Sequence, residues 1–248
     1  MRLKDKTAIV TGGASGFGAG IVRKFLDEGA RVMIADINGE AAESLAGELG
    51  DRAVAQKVDV ASKDSVEAMS QAALSAFGQV DILVNNAGVT HLPAAMEEVS
   101  EEDFDRVLAV NTKSVYLTAR TLLPHMKERG TGAILNVAST GGVSPRPRLS
   151  WYNASKGWMI TATKAMAVEL APAGIRVNAI NPVAGDTPLL KSFMGEDTPE
   201  VRAKFLSTIP IGRFSTAEDM GNTAAFLCSD EASMVTGVAM EVDGGRCI

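Results

Sequence analysis

Residues 7–20, TAIVTGGASGFGAG, restrict this chain more than any other stretch of it. A short β-branched apolar run breaks into glycines and then, by its residue types, opens a helix. A buried strand that ends in Gly12, Gly13, Gly16 and Gly18 presents bare backbone beyond its carboxyl end. Glycine permits a sharp turn and lets a diphosphate reach the first helical N–H groups, where the dipole and the unpaired donors favour anions. The spacing, Gly12-x-x-x-Gly16-x-Gly18, departs from the common G-x-G-x-x-G fingerprint, and turns of this kind also serve as plain strand-to-helix corners. The glycines therefore predict a nucleotide site only in company with the residues downstream of them.

Ile21, Val22, Phe25 and Leu26 continue at helical spacing to a stop at Gly29, and residues 31–36 read as a second buried strand. This makes a strand-helix-strand unit of about 30 residues. Its last residue is Asp36, close to the ~20-residue offset at which a carboxylate hydrogen-bonds a ribose hydroxyl. A carboxylate there repels a 2′-phosphate, and neither Ser15 nor Ile37 offers a cation, so the expected cofactor is NAD and not NADP. The ordinary alternative for Asp36 is a solvated acid at a strand end.

Further along, residues 53–60 read as a strand closing on Asp59 and Val60, where a carboxylate can take an adenine amino group. A helix is predicted over 62–77, and a nearly continuous apolar strand over 80–84, as in a parallel strand covered on both faces. It runs into Asn85-Asn86-Ala87-Gly88. Ser100-x-x-Asp103 resembles a capping box and opens a long helix through Leu122. A fifth strand over 133–137 leads to Ser139. The helix over 150–170 is apolar nearly all round, which predicts cover on two sides, one by the sheet and one by a second subunit. After a sixth strand at 175–180, a loop rich in Pro, Gly and Thr runs from Asn181 to about Pro210, the length of a lid or binding segment. Thr216-x-x-Asp219 caps a final helix to about Cys228, and residues 238–242 form the last strand. This alternation predicts a single-domain α/β fold over 1–248, a doubly wound, Rossmann-like parallel β-sheet with helices on both faces.

Charge and cysteine content narrow the function. The 24 basic and 30 acidic residues give a net charge of −6 with no like-charge run, which argues against nucleic acid as the main partner. Cys228 and Cys247 sit in neither a C-x-x-C nor a metal-ligand pattern and read as free thiols in a reducing compartment, with no metal site. No apolar run approaches the ~20 residues that cross a bilayer, so no membrane partner and a cytoplasmic location are expected.

Tyr152 and Lys156 stand four apart at the start of the two-sided helix, so both project from one face. Carbonyl reduction needs a proton for the developing alkoxide, and a phenol of reference pKa about 10 is a poor base at neutral pH. A nearby ammonium favours the phenolate, so Lys156 is expected to lower the tyrosine pKa. Ser139, at the end of a neighbouring strand, is placed to hydrogen-bond the substrate oxygen, where negative charge grows.

Thr11-Gly12-x-x-x-Gly16-x-Gly18, Asp59, Asn85-Asn86-Ala87-Gly88, Asn111, Ser139, Tyr152-x-x-x-Lys156 and Asn181-Pro182 with Thr187 fall in the order and spacing of the short-chain dehydrogenase/reductase family, which the chain resembles over essentially its whole length. The resemblance implies an oxidoreductase that moves a hydride between a nicotinamide cofactor and a small secondary alcohol or ketone. It implies that Tyr152 is the general acid/base and that Lys156 holds the nicotinamide ribose and depresses the tyrosine pKa. Ser139 would orient the reacting oxygen, and Asn111 would perturb its helix and hold a water linking Lys156 to solvent. The cofactor would contact Gly12, Ser15, Gly16, Phe17, Gly18, Asp36, Ile37, Asp59, Val60, Asn86, Ala87, Gly88, Pro182 and Val183, with Thr187 on the carboxamide. A dimer or tetramer packed through two long helices is also implied. One position departs from the pattern: Val183 stands where glycine commonly follows the proline, and glycine is postponed to Gly185. Two other functions stay open, an NADP-dependent 3-oxoacyl-type reductase and a cofactor-bound protein without turnover. The second typically lacks the tyrosine or the lysine, and both are here.

Trp151, Val183, Leu189 and Phe193 are candidate pocket walls. One of Arg146 and Arg148 is a candidate to hold an anionic substrate, against the ordinary reading of solvated loop arginines. His91 reads as polar surface and Cys247 as a free surface thiol.

Overall fold

All 248 residues are described by the computed structural model. The apolar runs form the strands β1 (Thr7–Thr11), β2 (Arg31–Asp36), β3 (Ala53–Lys57), β4 (Ile82–Asn85), β5 (Gly132–Val137), β6 (Ile175–Pro182) and β7 (Ala239–Val242). They make one sheet in the order β3-β2-β1-β4-β5-β6-β7, with every pairing parallel. The period-two alternation of the strands sorts their side chains into two layers. Val10, Ile34, Val84 and Leu135 point to one face, and Ile9, Met33, Leu83 and Ile134 to the other. The chain winds outward from β1 to β3 and then returns to β4 on the opposite side of β1. At such a reversal the connecting loops part, leaving a crevice beyond the strands' carboxyl ends.

Nine α-helices connect and cover the sheet: α1 (Gly16–Asp27), α2 (Gly39–Leu49), α3 (Lys63–Phe77), α4 (Glu101–Leu108), α5 (Ser114–Arg129), α6 (Ser150–Leu170), α7 (Leu190–Met194), α8 (Pro199–Leu206) and α9 (Ala217–Cys228). On the Val10 face lie Ile21, Val22 and Phe25 of α1 with Met220, Ala224 and Leu227 of α9. On the Ile9 face lie Val66 and Met69 of α3, Leu117 and Leu122 of α5, and Ala167 and Leu170 of α6. No helix is long and apolar enough to cross a membrane.

Several elements differ from the sequence expectation. Helix α2 is absent from it, because its core-facing stripe, Ala42, Leu45, Ala46 and Leu49, is half alanine and so faint; Asn38 caps it by accepting from the Ala41 N–H at 3.1 Å. Strand β3 ends at Lys57 rather than Val60, although Val58 and Val60 remain buried in the following loop. The single long helix predicted after Ser100 is interrupted by a wider, π-type turn at Ala109–Lys113. Ser100 caps α4 by accepting from Asp103 N, whereas the reciprocal capping box forms only at Thr216 and Asp219. The segment expected to be loop from 181 to 210 completes β6 and then holds α7 and α8. One side of α6 packs on the sheet, while Trp158 and Val168 on it, and Tyr116 on α5, are exposed in this chain.

Candidate active site

At the end of β1 the backbone turns through Gly12, which has φ of +60°. A Cβ there would stand 2.9 Å from Ala87 Cα, and one on Gly18 would stand 2.0 Å from Gly12 O, so neither position accepts a side chain. The turn is held across the sheet. Asn86 Nδ2 donates to Thr11 O and Gly12 O at 2.9 Å each, while Thr11 Oγ1 accepts from the N–H groups of Asn86 and Ala87 at 3.0 and 3.1 Å. Helix α1 then starts behind Ser15, whose side chain makes no cap. The first-turn N–H groups are thereby left without a side-chain acceptor, as an anion seat needs. Asp36 reaches the same turn from the end of β2. Its Oδ2 accepts from Ala14 N and its Oδ1 from Asn38 N, both at 3.0 Å. A glycine cradle, an open helix start and a fixed carboxylate one strand away fit a dinucleotide.

The same cavity, of about 460 Å³, continues to the carboxyl ends of β4, β5 and β6. Tyr152 and Lys156 project into it from the first turns of α6, with the Lys156 Nζ 5.9 Å from the centre of the tyrosine ring. Lys156 is buried and donates to Val137 O at 2.8 Å. Ser139, just past β5, lines the cavity and accepts from Gly141 N at 3.0 Å. The edge of the Phe193 ring packs on Tyr152, with centres 5.0 Å apart.

Burial dominates the protonation of this pair. It pushes the Tyr152 phenol up to about 12, opposed by hydrogen bonding to Ser139. It also brings the Lys156 ammonium down to about 8. The expectation that the lysine lowers the tyrosine pKa is thus corrected for the protein alone: removing the phenol from water outweighs the other influences on it.

The buried lysine carries a stability signature. Between pH 8 and 10.5 the unfolded lysine still holds a proton that the folded one has released, so folding grows more favourable as pH rises through that window. A Lys156→Met variant has no such term. Its stability relative to the natural protein is expected to fall by about 3 kcal/mol between pH 8 and 10.5. Urea unfolding at pH 7, 8.5 and 10 measures this; a constant difference would show that the ammonium is not desolvated.

Asn111 sits in the π-type turn, fully buried, and lies behind the cavity wall rather than in it. Its Nδ2 donates to Val89 O at 2.9 Å and to Ser155 Oγ at 3.0 Å, and its Oδ1 accepts from Val89 N at 2.9 Å. The amide thereby ties the loop after Gly88 to α6, one residue before Lys156.

Every other site residue expected from the sequence lines this one cavity: Gly12, Ser15, Gly16, Phe17, Gly18, Asp36, Ile37, Asp59, Val60, Asn86, Ala87, Gly88, Ser139, Tyr152, Lys156, Pro182, Val183 and Thr187. Ile37 is 68% exposed, and Asp59 is exposed and accepts from Ala61 N. Val183 is buried against the cavity, and the postponed Gly185 lies so close under Phe17 that a Cβ would meet its ring at 2.2 Å. Thr187 lies over Gly16, its Cβ 3.3 Å from where a Gly16 Cβ would stand.

Of the pocket-wall candidates, Val183, Leu189 and Phe193 line the cavity. Trp151 does not: it packs edge-on against Phe104 and donates to Met96 O at 3.2 Å. His91 is buried rather than a surface group, with Nδ1 2.8 Å from Leu92 O. Cys247 is half-buried, and burial pushes its thiol up to about 11. Arg146 lines the cavity, while Arg148 is exposed and donates to Pro93 O. Sequence reasoning did not find Phe205, a wall residue supplied by α8. Only the α8 cap pattern, Thr198 ahead of Pro199, marked that helix.

A parallel sheet with a crevice at its reversal and a Tyr-Lys pair in the same cavity suit an oxidoreductase, and comparison with known proteins shows the chain to be one. The chain belongs to the short-chain dehydrogenase/reductase family. A family model described as enoyl-(acyl carrier protein) reductase matches residues 12–246. The chain is 50% identical to 4-formylbenzenesulfonate dehydrogenase of Comamonas testosteroni over 100% of both chains. It is 38% identical to 3-oxoacyl-[acyl-carrier-protein] reductase of Thermotoga maritima, again over 100% of both. Among solved structures it resembles a 3-ketoacyl-(acyl-carrier-protein) reductase from Brucella melitensis complexed with NADH, with TM-score 0.95 and 53% identity over 99% of this chain and 100% of that one.

Proposed function

We propose that this oxidoreductase moves a hydride between NAD(H) and the alcohol or carbonyl carbon of a small molecule, with Tyr152 as general acid/base. The observation that carries the reading is that Ser139, Tyr152 and Lys156 share one cavity with the glycine turn and Asp36. When bound, the dinucleotide supplies or takes up the hydride. Gly12, Ser15, Gly16, Phe17 and Gly18 would hold its diphosphate, Asp36 its adenosine ribose, and Asp59 and Val60 its adenine. Asn86, Ala87 and Gly88 would line its adenosine side, and Pro182, Val183 and Thr187 would hold its nicotinamide half, together with Lys156.

The chain's own residues do the rest. Ser139 accepts from Gly141 N, which leaves its hydroxyl proton to donate to the substrate oxygen as negative charge grows there. In the reducing direction, the phenol that burial keeps protonated at neutral pH passes its proton to that oxygen. In the oxidising direction the phenolate takes the proton back, and the Lys156 ammonium below the ring stabilises that anion. Asn111 fixes the position of α6 relative to the loop after Gly88.

The NADH in the Brucella relative's complex supports NAD, as does Asp36, whose carboxylate disfavours a 2′-phosphate. The whole chain acts as one unit in this reading, with residues 182–210 as its substrate segment. Exposed Tyr116, Trp158 and Val168 on α5 and α6 support a dimer or tetramer through those helices. Incubation with a panel of secondary alcohols, ketones and aldehydes, followed by nicotinamide absorbance with both cofactors, tests the proposal. At least one substrate is expected to turn over with NAD(H) at a higher kcat/KM than with NADP(H). The names of the Thermotoga and Brucella relatives favour a second reading, a 3-oxoacyl reductase; turnover confined to 3-oxoacyl thioesters would select it.

A further inference from the structure

Only two cations line the cavity, Lys156 and Arg146, and the proposed hydride transfer uses only the first. Arg146 stands at the Tyr152 end, where its backbone carbonyl accepts from Asn153 Nδ2 of α6 at 2.7 Å. Its guanidinium lies over the Phe205 ring, with Cζ 4.5 Å from the ring centre, and donates once, to Thr208 Oγ1 at 2.9 Å. Arginine carries five N–H donors in a planar fork. No carboxylate pairs with Arg146 anywhere in the molecule.

A second guanidinium stands beside it. Arg246 donates to Ser144 Oγ at 3.0 Å, while its Nε is buried with no partner, and it too lacks an ion pair. Burial and the neighbouring Arg246 both hold the Arg146 pKa below the usual arginine value, so a half-buried cation lies in the field of a second one. Neither neighbouring acid forms an ion pair with them: Asp243 turns its oxygens to Gly245 N and Cys247 N at 2.9 and 2.8 Å, and Glu241 pairs with no cation. The Cys247 thiol, pushed up to about 11, is uncharged at neutral pH. A half-buried guanidinium facing a second cation and no counter-ion is costly unless an anion completes it. Around it the wall is apolar, with Leu149, Leu189, Phe193 and Phe205.

We propose that the substrate carries a carboxylate or sulfonate on an apolar body, and that Arg146 receives that anion while Arg246 adds to its field. The proposal rests on the hydride-transfer reading of the same cavity. Arginine's fork suits either oxyacid group bidentately, and a ring-stacked guanidinium is pre-oriented for it.

The test compares 4-carboxybenzaldehyde with its methyl ester, following NADH absorbance. The natural protein is expected to favour the acid over the ester in kcat/KM. Arg146→Ala should cut that preference by about 10- to 100-fold, chiefly through KM. Arg146→Lys should keep part of the preference, having the charge without the fork, and Arg148→Ala should keep all of it. Calorimetric titration of benzoate and benzenesulfonate into the NADH-loaded protein reads the same site without turnover. Both anions should bind the natural protein and Tyr152→Phe alike, and bind Arg146→Ala more weakly. Loss of turnover with all substrates but retained, Arg146-dependent anion binding would leave this proposal standing while the acid/base reading fails. A natural preference for the ester, an Arg146→Ala effect equal on both aldehydes, or anion binding indifferent to Arg146 would each overturn it.

Discussion

Replacing Tyr152 by Phe is expected to lower kcat by at least ~100-fold while NADH affinity stays within about twofold. The substitution removes one oxygen and keeps the ring, so the edge contact with Phe193 persists and α6 has no reason to shift. Lys156 keeps its bond to Val137 O, and Ser139 its bond from Gly141 N. What disappears is the only phenol in the cavity, and with it the group that hands a proton to the substrate oxygen. Steady-state kinetics at several pH values, paired with a fluorescence titration of NADH, separates chemistry from binding. An unchanged kcat would place the acid/base elsewhere; lost NADH binding would mean that the phenol holds cofactor rather than moving protons.

A comparable effect is expected at the adenosine end of the cavity. The natural protein should show a higher kcat/KM with NADH than with NADPH, and Asp36→Asn combined with Ile37→Arg should reduce that ratio by about 10²- to 10³-fold. Two causes add. A 2′-phosphate set against the Asp36 carboxylate is a like-charge contact of several kcal/mol, where each 1.4 kcal/mol is tenfold. The new arginine, at a position 68% exposed and lining the cavity, offers charge-assisted hydrogen bonds to the phosphate. Asparagine keeps an acceptor for Ala14 N or Asn38 N, so the glycine turn is not released along with the charge. If the natural protein already prefers NADPH, the reading of Asp36 is wrong.

The parts of the molecule that are legible in its sequence are those whose residues depend least on distant neighbours. Strands buried on both faces write themselves as unbroken apolar runs, so ILV in β4 and VMIA in β2 are readable. Helix α2 is harder to read, because half of its core-facing stripe of Ala42, Leu45, Ala46 and Leu49 is alanine, too small to stand out as an apolar periodicity. The site's backbone half is legible because the close approaches at Gly12 and Gly18 admit only glycine, and a run of glycines after an apolar strand is visible in the sequence itself. Its electrostatics are not. Whether Lys156 or desolvation governs Tyr152 depends on how deeply both lie, and spacing along a helix carries no record of depth. The same holds for the two loop arginines, indistinguishable in SPRPRLSWY, of which Phe205 and Thr208, some 60 residues on, draw only Arg146 inward. Trp151 misleads for a related reason: beside Tyr152 in sequence, it leaves α6 in another direction and packs on Phe104.

The bonds from Asn86 and Thr11 across the β1–β4 reversal have a consequence for how tightly a ligand is held. Backbone that a guest must first freeze into shape subtracts from its affinity, by roughly 1–2 kcal/mol for each residue arrested. Here the two strand ends brace one another through four contacts made by the protein itself. The groove thus stands preorganised before any visitor arrives, and little of the visitor's interaction energy is lost to conformational entropy on docking.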